Sequence, residues 1–421
     1  MKSNFFATAF SFVLMVLFSL GLNAQVITPV PVEINPAQVN AHVFSPTHLR
    51  GIMSDGLTAE TFMSLTLRKL PVFRIQPQLD VEAFGKEFHA KIKDQVNGYA
   101  FQLRKNGAPA YTLIWNWAKT PVDGGKGWTL DTRMHIASVS KFMTAVAMVR
   151  LLDEKGISYD AKIANYLPAY WVKGPNINQI SFRNLFTHTS GFSTGGSASD
   201  FLLMKSKVQQ GINGVGGYGY ENMNFGLCRV LLAVINGNIN PNTNFGLMND
   251  QIWDIISVNA YKTFVQAKVF TPAGVFNASF QPLANYPNAL AYKFPIMNEN
   301  GWDSGDLTSM AGGAAWRLSV NEVLQVMDHF RRKNTILPAA KAQMLLDSYF
   351  GIDQIIDTPA GKLYNKNGAW GNGAGQREQS VIYFLPGGME LVVFVNSKIG
   401  VQDASLRGLV KDLYLNNLQG N

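Results

Sequence analysis

His135-Ile-Ala-Ser138-Val-Ser-Lys141-Phe-Met-Thr144 is the stretch on which the reading of this chain turns. It opens an almost unbroken apolar run, Phe142 to Leu152, which reads as a helix buried on every side. Asp153-Glu-Lys-Gly156 closes the run, and Gly156 suits the left-handed residue that ends many helices. Ser138 and Lys141 stand at i and i+3, so a helical backbone puts them on one face. A lysine at the end of an apolar helix is partly desolvated, which disfavours its ammonium form and lets it accept a proton. A serine near a helix N-terminus sees the positive end of the dipole, which favours developing negative charge. A serine nucleophile that needs no histidine follows from that pairing. The tetrapeptide by itself is weak, since a chain this long holds about one or two Ser-x-x-Lys matches by chance.

Outward from this helix, both ends of the chain read as strands. Upstream, Val81, Phe84, Phe88 and Ile92 recur at helical spacing. Tyr99 to Arg104 then alternates apolar and polar, Lys105-Asn-Gly107 turns, and Tyr111 to Trp117 returns as a hairpin. Downstream, Ser380 to Leu385, the turn Pro386-Gly-Gly388 and Met389 to Val395 form a second hairpin. A last helix carries Leu406, Leu409, Val410 and Leu413 on one face. Residues 157–310 mix short helical patterns with Gly- and Asn-rich loops. The expected fold is α+β: one antiparallel sheet built from both chain ends and flanked by helices, plus a mostly helical lobe at about 157–310.

Composition removes several function classes. The chain has 421 residues, 47% of them hydrophobic and 15% charged, enough for a large core. Its net charge of +8 is scattered without a basic run, so no nucleic-acid partner is expected. Cys228 is the single cysteine, which rules out an intramolecular disulfide and a CxxC site. The six histidines show no HxH or HExxH spacing, so neither a metal nor a cofactor is expected. No Gly-x-Ser-x-Gly elbow precedes a helix, and Gly-rich phosphate loops of the P-loop type are absent from the sequence.

Residues 1–24 read as a secretory signal: Lys2, then the apolar run Phe5 to Leu22, then a cut after Ala24. An uncleaved anchor is the alternative, given the length of the run. Export to the periplasm or the extracellular space is therefore expected, with no stable membrane insertion once the signal is cut. Residues 25–85 read as an N-terminal extension of unknown role, and 86–421 as the main domain.

The segment around Ser138 resembles the nucleophile segment of the serine β-lactamase and penicillin-binding protein superfamily, in its class C β-lactamase, DD-peptidase and esterase branch. Further segments agree in order. Leu151-Leu-Asp-Glu-Lys-Gly156 with Tyr166-Leu-Pro168 resembles the end of the family's nucleophile helix and its following loop. Leu185-Phe-Thr-His-Thr-Ser-Gly191 is similar to the family's Leu-Leu-Thr-His-Thr-Ser-Gly segment. Ala311-Gly-Gly313, leading to Ser319 and Glu322, resembles its Gly-Gly turn into a helix. The resemblance runs from about residue 86 to about residue 417.

The resemblance implies a second motif, Tyr-x-Asn, and three candidates exist: Tyr220-Glu-Asn222, Tyr286-Pro-Asn288 and Tyr414-Leu-Asn416. Only the first precedes a family-like helix, so Tyr220 is expected to shuttle protons with Lys141, and Asn222 to bind the substrate's acyl amide and Lys141. A third motif of the Lys-Thr-Gly type matches Lys105-Asn-Gly107, Lys366-Asn-Gly368 and Lys398-Ile-Gly400. Lys366 falls just before the terminal hairpin, as the family places it. Lys366, Asn367, Gly368 and Ala369 are thus the expected substrate-binding strand, with the Ala369 and Ser138 N–H groups forming the oxyanion hole. Asn367 replaces the usual hydroxyl residue and Trp370 adds bulk, which argues against strong β-lactam or D-Ala-D-Ala recognition. His188 is expected to be structural and Cys228 a small buried residue. Tyr218 either lines the cleft or caps a Gly-rich loop.

The resemblance implies a serine hydrolase that forms a Ser138 acyl-enzyme on a small-molecule ester or amide or a peptidoglycan-derived substrate. Esterase, D-amino-acid peptidase and β-lactamase all stay open, as does the oligomeric state. A catalytically weak relative that binds peptidoglycan or a partner through the same cleft is the alternative.

Overall fold

Alternating apolar residues at both ends of the chain converge on one sheet. In the computed structural model the described residues are 76–195, 199–295 and 298–420. The expected signal at 1–24 and residues 25–75 of the expected extension lie outside them. The chain divides into two units, and the described residues belong to the second, Ile75–Asn421.

Strand β1 (Gln78–Leu79) leads into helix α1 (Val81–Ile92), which Asp80 caps through the Ala83 N–H. This helix runs across the boundary expected at 85/86, and β1 pairs with β11 (Leu418–Gln419) near the far end of the chain. The folded unit thus starts upstream of the expected boundary, because Phe84 and Phe88 are buried in its core. Strands β2 (Gly98–Lys105) and β3 (Ala108–Lys119) form the first hairpin. Its turn residues Asn106 and Gly107 both have positive φ, which a tight two-residue turn requires. With β4 (Lys126–Gly127), β7 (Gln354–Thr358), β8 (Gly361–Gly371), β9 (Arg377–Leu385) and β10 (Met389–Val395) they make an antiparallel sheet ordered β4-β3-β2-β10-β9-β8-β7, while β5 (Met134–His135) and β6 (Arg317–Leu318) pair separately. The β2–β10 ladder joins the two ends of the chain.

Alternation assigns the two faces. Tyr99, Phe101, Leu103, Val381, Tyr383, Leu391 and Val393 point to one side, against α1 and the last helix, Leu406–Asn416. Ala100, Ile382, Phe384, Val392 and Phe394 point to the other, against the helix that follows Ser138. That helix, α2 (Ser140–Glu154), is buried at every position from Ser140 to Val149, as its apolar sequence requires. Gly156 follows it at φ 64°. Further helices surround α2, among them α3 (Phe182–Phe186), α4 (Phe201–Gln210), α5 (Asn222–Ile235) and α6 (Asn249–Val265). Helix α7 (Val320–Arg331) opens with the Ser319–Glu322 capping box and packs on β10, with α8 (Ala339–Asp347) beside it. The last helix is α9 (Leu406–Asn416). The arrangement is the α+β one expected, a sheet drawn from both chain ends and flanked by helices. None of the described helices is long and apolar enough to cross a membrane.

Candidate active site

Ser138 sits in a tight turn, Ala137–Val139, immediately before α2 rather than in its first helical turn. Ala137 at φ 45° turns the chain sharply there. Lys141 lies one turn on and is fully buried. Its Nζ donates to Ser138 Oγ at 3.0 Å, Asn222 Oδ1 at 2.5 Å and the Gly313 carbonyl at 2.9 Å. Burial drives the Lys141 ammonium below its ordinary range, and Lys366 adds to the shift. An amide oxygen and a carbonyl can only accept. Once deprotonated, Lys141 can give its two remaining protons to these acceptors and offer its lone pair to Ser138.

Tyr220 completes a triangle. Its hydroxyl donates to Ser138 Oγ at 2.6 Å, and Lys141 Nζ and Lys366 Nζ lie 4.9 and 5.4 Å from its ring centre. Burial would raise this phenol, but Lys141 and Lys366 beside it outweigh that and hold it below its usual range. The His188 ring stacks on Tyr220 at 4.4 Å. His188 Nδ1 accepts from the Glu221 N–H at 3.1 Å, and burial beside Lys141 and Lys366 lowers its pKa to about 2. It is a neutral support for Tyr220 rather than a proton carrier. Cys228 is buried inside α5 with its thiol bonded to the Asn224 carbonyl.

Strand β8 closes the site. A Cβ at Gly368 would run into the Ile136 carbonyl and stand 2.9 Å from Ser138 N, so the bare glycine lets the strand meet the Ser138 turn. Lys366 is 1% exposed and donates to Asp353 at 2.8 Å. Asn367 departs from the expectation. Its register partner is Val381, on the face that packs against α9, and its Oδ1 accepts from Arg407 at 3.2 Å. Strand alternation turns that side chain away from the Lys366 face, and only the backbone of Asn367 faces β7. The Asn367 N–H bonds to Asp353, on the side where β7 ends. Ala369 is two residues further along, so its N–H points to the same free edge.

Three contributors escaped the sequence reading. Asp353 had no motif to mark it. The Gly312 and Gly313 carbonyls, which accept from Thr144 and Lys141, act through the main chain, and only the Gly-Gly turn hinted at them. Tyr218 is exposed at the rim, edge-on to His188. Tyr286 lies against Arg133 and Tyr414 is buried in α9, so neither rival Tyr-x-Asn match joins the site. Among the described residues no group of three or more His, Cys, Asp or Glu could hold a metal ion.

Comparison with known proteins agrees with this architecture. The esterase/β-lactamase LipL of Mycobacterium tuberculosis is 28% identical over 153 residues, 35% of this chain and 34% of that protein. The matched stretch thus spans about a third of the length of the curated relatives it resembles. The fold recurs in FmtA from Staphylococcus aureus, with TM-score 0.59 at 16% identity over 88% of this chain and 98% of that one. It recurs again in the D-amino acid amidase of Ochrobactrum anthropi SV3, with TM-score 0.57 at 15% identity over 80% and 98%. A sequence model of the Beta-lactamase family matches residues 80–413, and the chain therefore belongs to that family.

Proposed function

We propose that this chain is an exported serine hydrolase that cleaves an ester or amide through a Ser138 acyl-enzyme. The observation that carries the reading is the triangle of Ser138 Oγ with Lys141 Nζ at 3.0 Å and Tyr220 Oη at 2.6 Å. Export rests on the Met1–Ala24 sequence alone.

Ser138 Oγ forms a bond to the substrate carbonyl carbon as its proton passes to the Tyr220–Lys141 couple. The carbonyl oxygen gains the negative charge and meets the N–H groups of Ser138 and Ala369. Collapse breaks the bond to the alcohol or amine, which takes the proton back. Water then adds to the acyl carbon, giving a proton to the same couple. The acid departs as Ser138 recovers its hydrogen. Ester or amide plus water becomes acid plus alcohol or amine, with the side chains unchanged.

The test is nitrophenyl ester hydrolysis together with fluorescent penicillin labelling read by intact mass, on wild type and Ser138→Ala. Turnover that falls at least about 100-fold in the variant is the expected result. Equal turnover in both would sink the reading. A stable penicillin adduct without turnover would favour a binding role instead.

A further inference from the structure

We infer that Asp353 sets the charge preference of this site, committing the Lys366 ammonium internally so that the acyl part of the substrate is uncharged. The inference rests on the proposed hydrolase reading and deepens it.

Lys366 is the cation that β8 offers beside Tyr220, and its charge is already paired. Asp353 Oδ1 accepts from Lys366 Nζ at 2.8 Å, while Oδ2 accepts from the Asn367 N–H and Arg407 Nη1, each at 3.1 Å. The side chains of Lys366 and Asp353 are 1% and 9% exposed, so water screens this pair little. Burial would raise the Asp353 carboxyl, but Lys366 and the two other donors outweigh it and keep it ionised.

Asp353 cannot swing aside. Its own N–H bonds to the Asn365 carbonyl at 2.8 Å. Gly351, at φ 68°, is pressed so close to α2 that a Cβ would stand 2.8 Å from the Lys141 carbonyl. The Gly351 N–H also reaches the Phe186 carbonyl at 3.2 Å. A substrate carboxylate brought to Lys366 would therefore sit beside a fixed like charge in a poorly screened place. Arg407, the other cation on Asp353, is engaged by Asp353 and Asn367 on the side of the strand facing α9. A neutral acyl chain meets no such penalty, and Tyr218 at the rim offers it an aromatic wall.

The test compares the neutral ester 4-nitrophenyl butyrate with the anionic 4-nitrophenyl hemisuccinate. Wild type should favour the neutral ester at least about tenfold in kcat/KM. Asp353→Asn should move that ratio about tenfold towards the anion, and Asp353→Glu, which keeps the charge, should leave it near the wild-type value. The wild-type ratio decides by itself if Asp353→Asn fails to fold. Anionic preference in the wild type, or an unmoved ratio in a folded Asp353→Asn, overturns the inference and leaves the hydrolase reading standing. Absence of turnover with both esters overturns the two together.

Discussion

The Tyr220 hydroxyl lies 2.6 Å from Ser138 Oγ, while Lys141 Nζ reaches the same oxygen at 3.0 Å. That oxygen therefore has two groups able to take its proton. Tyr220 holds the shorter contact and is the one with both Lys141 and Lys366 beside its ring. Tyr220→Phe keeps the ring and its stack but removes the hydroxyl. It should cut kcat for nitrophenyl esters by about 10² to 10⁴, the usual worth of a positioned proton-transfer group, with KM little changed. Steady-state kinetics on the purified variant check this, and a kcat within threefold of wild type would leave Lys141 as the sole base.

His188 supports Tyr220 from below without carrying a proton. The backbone there is left-handed, φ 56°, a conformation that asparagine tolerates. His188→Asn should therefore fold, lose the ring stack and reduce kcat by about tenfold, in the way misplacement of a catalytic group does. Its pH–rate profile should overlay the wild-type one, because the imidazole already stays neutral across the working range. A profile that loses its acid limb in this variant would make His188 the proton carrier after all.

The acid limb belongs instead to Lys141 and Tyr220. Burial favours the neutral amine, so its pKa lies below the free-lysine value. The sign follows: the amine is protonated and inactive at low pH and becomes competent as pH rises through this lowered value. The kcat/KM of the wild type should thus rise with pH and reach its plateau well below the ordinary lysine range. Lys141→Ala should abolish the limb together with the activity. A rate that still climbs steeply above pH 10 would contradict a depressed Lys141.

What could be read from the chain depended on range. The hairpins at Tyr99–Trp117 and Ser380–Val395 were legible because period-two alternation and Gly-bearing turns are local signals. Helix α2 was legible because an all-apolar run admits few other readings. Ser138, Lys141, Tyr220 and Lys366 came from motifs, and the fold brings all four together. Asp353 stayed hidden, since a lone acid in Tyr349-Phe-Gly-Ile-Asp353 acquires meaning only when the chain brings it beside β8. The direction of Asn367 was within reach: Lys366 and Gly368 share one face of a strand, so the residue between them must take the other.

The contact between β8 and the nucleophile turn rests on one absent side chain. Gly368→Ala places a Cβ 2.9 Å from Ser138 N and against the Ile136 carbonyl, and both of those are backbone. The strand must withdraw or the turn must deform. Either change moves the proposed oxyanion donors apart. Activity should fall by about 10² or more, in line with loss of an oxyanion donor, while far-ultraviolet dichroism stays native. Retained activity would place the oxyanion elsewhere.

Glu390 should make the stability of the fold pH-dependent. It lies in β10, its side chain 3% exposed, 3.4 Å from Arg331 and with Oε2 unpartnered. Burial, only partly offset by Arg331, pushes its carboxyl up to about 7 from 4.5. A raised carboxyl binds its proton more tightly in the folded state than in the unfolded one. The folded protein is thus favoured fully below pH 4.5, and that advantage is lost as pH rises through 7. Glu390→Gln keeps the shape and removes the charge, so it should match wild type at pH 4 and exceed it above pH 7. The gain should be about 1–3 kcal/mol, since a tenfold change in proton affinity is worth about 1.4 kcal/mol and the Arg331 contact is weakened in exchange. Thermal unfolding of both proteins at pH 4, 6 and 8 checks this. A constant offset across that range would mean that the substitution acts through packing rather than through the buried charge.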